Sequence, residues 1–300
     1  EARLEAFERV GARDPKSDSA KHALDVALFT LRKMAAGGMH DHIGGGFHRY
    51  SVDRYWHVPH FEKMLYDQAQ LGVAYLAAFQ ITNDKQYELV VRDILDYVDR
   101  DMTSKEGGFF SAEDADSPVV GNDAASRKTA EGAFYVWTKK EIDDALGDSA
   151  DIFDFYYGVQ AHGNAPEGSD PHDEFRGKNI LIQRHTIAET AEHFRKTKEE
   201  IAKALAQSRE KLFAIRAERP RPHLDDKIIS SWNGLMISAF ARAAQVLNDQ
   251  RYLEVAIRAA NFARAKLYDS SRRILYRSYR EGRSNIEGFA DDYSLMIQGL

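Results

Sequence analysis

Between Gly37 and Asp67 the chain gathers the residue types of acid–base chemistry more densely than anywhere else: GGMHDHIGGGFHRYSVDRYWHVPHFEKMLYD. Five of its eleven histidines fall between His40 and His60, and Arg49, Trp56, Glu62, Lys63, Tyr66 and Asp67 lie beside them. Imidazole and carboxylate groups move protons near neutral pH, so general acid–base work is one reading. His40-Asp-His42 and His57-Val-Pro-His60 also have spacings that metal ligands use. In the third reading the histidines and Arg49 bond backbone carbonyls that the five glycines of Gly37–Gly46 leave outside regular structure. The residues alone keep all three open. A loop this costly in conformational entropy is expected to be functional when it is ordered.

Four further loops end in acids and aromatics. Glu113-Asp114-Ala-Asp116 follows the Gly107-Gly108-Phe109-Phe110 turn, and its carboxylates suit sugar hydroxyls or a cation. Glu131 precedes Phe134-Tyr135-Val-Trp137, where a strand would put Tyr135 and Trp137 on one face, ready to stack on a sugar ring or to pack in a core. His223-Leu-Asp225-Asp226-Lys227 leads into Trp232-Asn233-Gly234, and Glu287-Gly-Phe-Ala leads into Asp291-Asp292-Tyr293. Converging on one rim, such loops would make a carbohydrate cleft.

The elements that must carry these loops are helical. Leu24, Ala27, Leu28, Leu31 and Ala35 share a face in Ser19–Ala36, and Gly37-Gly38 supplies the stop. A second helix is expected over Phe61–Ile81 and a third after Asp84. Thr138-Lys-Lys-Glu141 and Thr186-Ile-Ala-Glu189 read as capping boxes. A helix pair follows at Trp232–Leu247 and Arg251–Leu267, and another helix over Phe289–Leu300. Short strands are expected near Phe109–Phe110, Phe134–Trp137 and Ile274–Tyr279. Two stretches without periodicity, Ser117–Lys128 and His162–Lys178, read as loop insertions.

The pattern repeats. Asn83-Asp84-Lys85-Gln86-Tyr87 matches Asn248-Asp249-Gln250-Arg251-Tyr252, an offset of 165 (248 − 83). The apolar face carries over: Val90/Val255, Val91/Ala256, Ile94/Ala259, Tyr97/Phe262. Helix pairs that cannot bury their faces alone stack on neighbours, and long polar loops at one end of each pair favour closure into a toroid around a central cleft.

Composition narrows the field. The 300 residues suffice for a sizeable core, and 43% hydrophobic with 29% charged residues is ordinary for a globular chain. A net charge of -6 and short, broken basic runs such as Arg216–Arg221 argue against a nucleic-acid partner. No apolar run approaches the roughly 20 residues of a membrane span. The chain has no cysteine, which removes disulfides, thiolate metal sites and a cysteine nucleophile, and fits a reducing, cytoplasmic setting. An upstream targeting segment is not excluded, since Glu1 is not a natural start.

The string GGMHDHIGGGFHRYSVDRYWHVPHFEKMLYDQAQL closely resembles the signature of the spermatogenesis-associated protein twenty family, also called thioredoxin-domain-containing proteins of the YyaL type. GGFFSAEDADS, EGAFYVWTKKEI, GKNIL, DDKIISSWNGLMISA and EGFADDYS extend the resemblance over essentially the whole chain. It implies an all-α (α/α)6 toroid of the six-hairpin glycosidase or N-acylglucosamine 2-epimerase-like type. It also implies an N-terminal thioredoxin-like domain. Residues 1–300 are therefore expected to be one incomplete toroid domain, with the thioredoxin-like domain and the closing helices outside it. The implied ligand is a sugar or sugar-like molecule, with no cofactor and no metal. If the epimerase likeness holds, His57 and His60 exchange protons next to a carbonyl, Glu62 orients one of them and Arg49 polarises the carbonyl oxygen. His40, Asp41, His42, Trp56, Tyr66, Asp67, Glu113, Asp114, Tyr135, Trp137, Asp226, Trp232, Asn233 and Asp292 would line the substrate site. If the glycosidase likeness holds instead, two carboxylates flank the scissile bond, and Glu113, Asp114, Asp226 and Asp292 are the candidates for them. The rival to both is a non-catalytic binding or scaffold module serving the thioredoxin-like domain.

Overall fold

A computed structural model describes residues 17–119, 128–170 and 173–300. Residues 120–127 of the Ser117–Lys128 insertion and residues 171–172 of the His162–Lys178 insertion lie outside the described residues. The class is all-α: among the described residues the α-helices are α1 (Asp18–Ala36), α2 (Leu65–Thr82), α3 (Lys85–Asp101), α4 (Lys139–Leu146), α5 (Ala150–Tyr157), α6 (Ile187–Phe194), α7 (Lys198–Ala217), α8 (Ser230–Leu247), α9 (Gln250–Phe262) and α10 (Ala290–Gly299), and every strand has two or three residues. The chain forms two compact units. One holds residues 17–32, 63–113 and 224–300; the other holds residues 33–62, 114–119, 128–170 and 173–223.

In the first unit the sequence repeat is a structural repeat. Asn83 and Asn248 end α2 and α8 in the left-handed region, at φ 56° and 51°, where Asn is tolerated better than most residues. Asp84 and Asp249 then cap α3 and α9 by accepting from the N–H groups of Gln86 and Arg251. The starts of α2 and α8 match too. Leu65 N–H donates to the Ser111 carbonyl, and Ser230 N–H donates to the Arg277 carbonyl. Ahead of them Lys63-Met64 pairs with Ala112-Glu113, and Ile228-Ile229 pairs with Ser278-Tyr279. α2 packs on α3, α8 on α9, and α2, α8 and α10 follow one another.

Extended pairing also corrects the start of the second helix. Phe61–Met64 is not helical, because Lys63 and Met64 are held in an antiparallel ladder that Leu224-Asp225 extends to a third strand. Glu62 therefore lies outside the helix and does not share a helical face with Tyr66.

The second unit is built on a core of Trp137, Phe153, Tyr157, Ile201, Leu205 and Leu212, each at most 2% exposed. The expected capping boxes at Thr138/Glu141 and Thr186/Glu189 open α4 and α6, and a third, Thr197/Glu200, opens α7. Phe134–Trp137 is not a strand. Gly132, at φ +69°, starts a tight turn in which the Tyr135 and Val136 N–H groups both donate to its carbonyl. Only Trp137 makes a bridge, to Asn179.

Candidate active site

The histidine loop lies in the second unit and is ordered by close backbone approach. Gly38 N–H donates to the Trp56 carbonyl at 2.8 Å. A Cβ on Gly37 would meet the Trp56 carbonyl oxygen, and one on Gly38 the His57 carbonyl oxygen. Trp56 itself sits at φ 64°, an uncommon conformation for a bulky side chain. The Asp53 carboxylate gathers the N–H groups of Tyr55, His57 and Val58 at 2.6, 3.2 and 2.7 Å. The hairpin closes where Tyr50-Ser51 pairs with Pro59-His60.

The structure sorts the five histidines. His40 Nδ1 lies 3.2 Å from the Ala35 carbonyl, His42 Nε2 lies 3.0 Å from the Gly37 carbonyl, and His48 Nδ1 lies 2.9 Å from the Phe61 carbonyl. These three rings satisfy backbone groups at the end of α1 and in the loop. His42 is held far below the ordinary imidazole range, at about 3, first by burial and then by repulsion from His40. His57 is 8% exposed, and its burial also lowers it, opposed by the Asn164 side chain and the Asp53 charge.

His60 differs in facing carboxylates. Its Nδ1 lies 2.7 Å from Glu131 Oε1, and its Nε2 lies 3.8 Å from Glu62 Oε2. Glu131 Oε1 also accepts the Phe61 N–H at 3.1 Å, which fixes the carboxylate against the hairpin. Arg49 donates to Glu62 Oε2 at 2.8 Å. The Tyr50 ring stacks on the His60 ring with centroids 4.9 Å apart. His60, Glu62 and Glu131 side chains are each about a quarter exposed, so solvent or a ligand reaches them while most of their surface is fixed by neighbours.

Asp41 belongs to the foundation of this loop. It forms a two-pronged ion pair with Arg216, at 2.8 and 2.9 Å, with both side chains 4% exposed. The same carboxylate accepts from the Ile43 and Gly44 N–H groups. The Arg216 guanidinium lies over the rings of Phe134 and Tyr135, 5.0 and 5.4 Å from their centroids.

The other sequence-derived residues divide between the units. Tyr135 and Trp137, in the second unit, are 7% and 0% exposed, so their faces serve the core rather than an open stacking platform. Asp114, also in that unit, is exposed and accepts from the Asp116 N–H. Tyr66, Asp67, Glu113, Asp226, Trp232, Asn233 and Asp292 belong to the first unit. There Tyr66 and Trp232 meet edge to face at 4.8 Å. Glu113 is 3% exposed and accepts from the Tyr97 hydroxyl at 2.7 Å. Asp226 pairs with Arg280 at 2.6 Å. Asn233 holds both the N–H and the carbonyl of Phe109, and Asp292 accepts from the N–H groups of Ser231 and Phe289 and from Arg277. Asn233 and Asp292 are thus engaged in fixing backbone.

Three roles were not read from sequence: Glu131, read as the acid ahead of Phe134–Trp137, is the partner of His60, Asp53 anchors the loop, and Arg216, read only as part of a broken basic run, pairs with Asp41. Among the described residues no group of three or more His, Asp and Glu side chains is placed to hold a metal ion.

No family model matches the chain. It is 41% identical to human spermatogenesis-associated protein 20 over 302 residues, covering 95% of this chain and 38% of the human protein. It is also 41% identical to an uncharacterized protein of Caenorhabditis elegans, over 96% of this chain and 41% of that protein. Among solved structures, a family 76 glycoside hydrolase from a bovine Bacteroides thetaiotaomicron strain aligns with 13% identity and a TM-score of 0.43, covering 94% of this chain and 36% of that one. The cellobiose 2-epimerase of Spirochaeta thermophila aligns with 14% identity and a TM-score of 0.32, covering 99% and 83%. The chain spans about two-fifths of the length of the curated relatives it matches. Over that stretch it belongs to the family of spermatogenesis-associated protein 20.

Proposed function

We propose that Arg49, His60, Glu62 and Glu131 form an acid–base site for a sugar or sugar-like ligand, within helix pairs of the six-hairpin toroid type that the family resemblance implies. The observation that carries the reading is the 2.7 Å contact between His60 Nδ1 and Glu131. A carboxylate only accepts, so it draws the imidazole proton to Nδ1 and leaves the Nε2 lone pair for a substrate proton. Glu62 stands on the Nε2 side and Arg49 neutralises it, so an imidazolium formed there meets a carboxylate and an oxyanion meets a guanidinium. This array suits abstraction of a proton next to a carbonyl and its return on the same face to the neighbouring carbon, the step of an aldose–ketose isomerase. His60 takes the base role. His57, whose surroundings are Asn164 and Asp53, is not needed for it. The thioredoxin-like domain of the family and a cytoplasmic setting remain part of this proposal.

The test is solvent exchange. Aldoses and β-linked disaccharides incubated with the protein in D2O are followed by NMR for deuterium at the carbon next to the carbonyl. Exchange that vanishes in His60→Ala and falls at least tenfold in Glu131→Gln supports the reading. Exchange that survives in His60→Ala, or that never exceeds the uncatalysed rate with any sugar of the series, sinks it.

A further inference from the structure

The two copies of the repeat in the first unit carry different chemistry at one equivalent buried place. In the first copy Lys63 stands directly opposite Glu113 in the short ladder ahead of α2. Tyr97 of α3 joins them: the Lys63 ammonium lies 4.2 Å from its ring centroid, and its hydroxyl donates to Glu113 at 2.7 Å. In the second copy Ile228 stands opposite Tyr279 in the ladder ahead of α8, and Phe262 of α9 meets the Tyr279 ring edge to face at 5.4 Å. The 165-residue offset takes Lys63 to Ile228 and Tyr97 to Phe262 (228 − 63 and 262 − 97), and the ladder register takes Glu113 to Tyr279. Lys63, Tyr97 and Glu113 are each at most 3% exposed, and Ile228 and Phe262 are buried too.

The second copy shows that apolar and aromatic groups fill this place well. A buried ammonium and carboxylate pay a desolvation cost that their attraction at best repays, and an apolar set of like volume is often equal or better for stability. Stability alone therefore does not account for the polar trio. What the trio supplies is a difference between two ladders that are otherwise alike. Both are antiparallel and two residues long, both set Met64 or Ile229 opposite a small residue, Ala112 or Ser278, and both lead into an 18-residue helix. Were Lys63-Met64 to pair with Ser278-Tyr279, Lys63 would face Tyr279 and Glu113 would face Ile228. Each charge would then lose its counterpart in a dry setting, which is strongly unfavourable.

We propose that Lys63, Tyr97 and Glu113 act as a pairing key: they hold the first-copy strands to each other and keep them from the equivalent strands of the second copy while the chain folds. A duplicated fold needs such a key, because equal ladders ahead of equal helices offer the chain exchanged pairings of nearly equal energy. The trio lies apart from the His60 cluster, so the proposal stands or falls independently of the function proposed above.

Equilibrium unfolding in guanidinium chloride and refolding by dilution, both followed by tryptophan fluorescence, test it. The variant Lys63→Met/Tyr97→Phe/Glu113→Leu replaces the trio by apolar groups of similar size. Its unfolding midpoint should equal or exceed the parent's, while recovery of native fluorescence slows at least tenfold as exchanged pairings form and must undo. Adding Ile228→Lys/Phe262→Tyr/Tyr279→Glu to that variant moves the trio to the second copy. The two ladders then differ again, and refolding should return to within about twofold of the parent rate. An apolar variant that refolds at the parent's rate overturns the proposal. So does one that fails to fold or unfolds at a lower midpoint, since the trio would then serve the native core itself. A transplanted trio that leaves refolding slow overturns it as well, because the loss would lie in the first-copy site and not in the likeness of the two ladders.

Discussion

His60 and Glu131 lie 71 residues apart in the chain and 2.7 Å apart in the structure, Nδ1 against Oε1. The contact joins the hairpin after the glycine loop to the short strand Thr129–Glu131, both in the second unit. The neutral imidazole should therefore carry its proton on Nδ1. Long-range proton–nitrogen NMR of His60 is expected to show that tautomer in the parent protein and to lose it in Glu131→Ala. Stability should change by only about 1 kcal/mol, the usual worth of one partly exposed hydrogen bond. An Nε2–H tautomer in the parent would break the link between this contact and the proposed base.

The Asp41–Arg216 pair gives a stability prediction of a different size. Both groups are almost fully buried, so removing one leaves the other charged and unpaired. Arg216→Met is expected to cost about 3–5 kcal/mol in denaturant unfolding. Asp41→Asn is expected to cost a comparable amount, because the amide leaves the buried guanidinium without its counter-charge and sets an NH2 donor against one of its N–H groups. Equal and small effects from the two would mean that water reaches the pair.

Gly38→Ala should cost more than a Gly→Ala change at an open loop position. Its methyl group meets the backbone carbonyl oxygen of His57, and backbone cannot swing aside as a side chain can. Overpacking of this kind costs about 1–3 kcal/mol. The thermal midpoint of Gly38→Ala, compared with Gly282→Ala, where a methyl group would meet open space, reads the difference.

Acid should destabilise the protein through two histidines that the fold takes out of water, His57 buried and His42 half-buried. His42 and His57 both have folded-state values below the ordinary 6.5. A histidine lowered on folding stays neutral in the native state while the unfolded chain takes up a proton, so stability is lost as pH falls below about 6.5. For His42, held at about 3, the loss between pH 7 and 5 comes to about 2 kcal/mol. His57 adds in the same direction. Denaturation midpoints at pH 7, 6 and 5 should fall steadily, and less steeply in His42→Asn. A flat profile over that range would contradict the lowering of both rings.

Local order was legible in the sequence wherever a few adjacent residues decide it. Asp84, Thr138 and Thr186 cap helices as read, because a cap is a contact between a side chain and an N–H two or three residues away. The 165-residue repeat was legible because equal helix pairs need equal apolar faces. The histidine loop was legible as a place, since its glycines and polar groups are unlike the core. What each histidine does there was decided only in three dimensions. His40, His42 and His48 are spent on carbonyls, whereas His60 meets Glu131, and imidazoles of identical chemistry differ only in what the fold sets against them. The same holds for Arg216, whose sequence neighbours marked it as part of a surface run and whose partner Asp41 lies 175 residues away. Phe134–Trp137 alternates like a strand, yet Gly132 turns it, because positive φ at one residue outweighs a weak local preference for extension. Sequence determined which residues could cap, turn, bury and titrate; tertiary structure decided the pairings, because a proton's destination depends on a separation of about 3 Å between groups that the chain order leaves far apart.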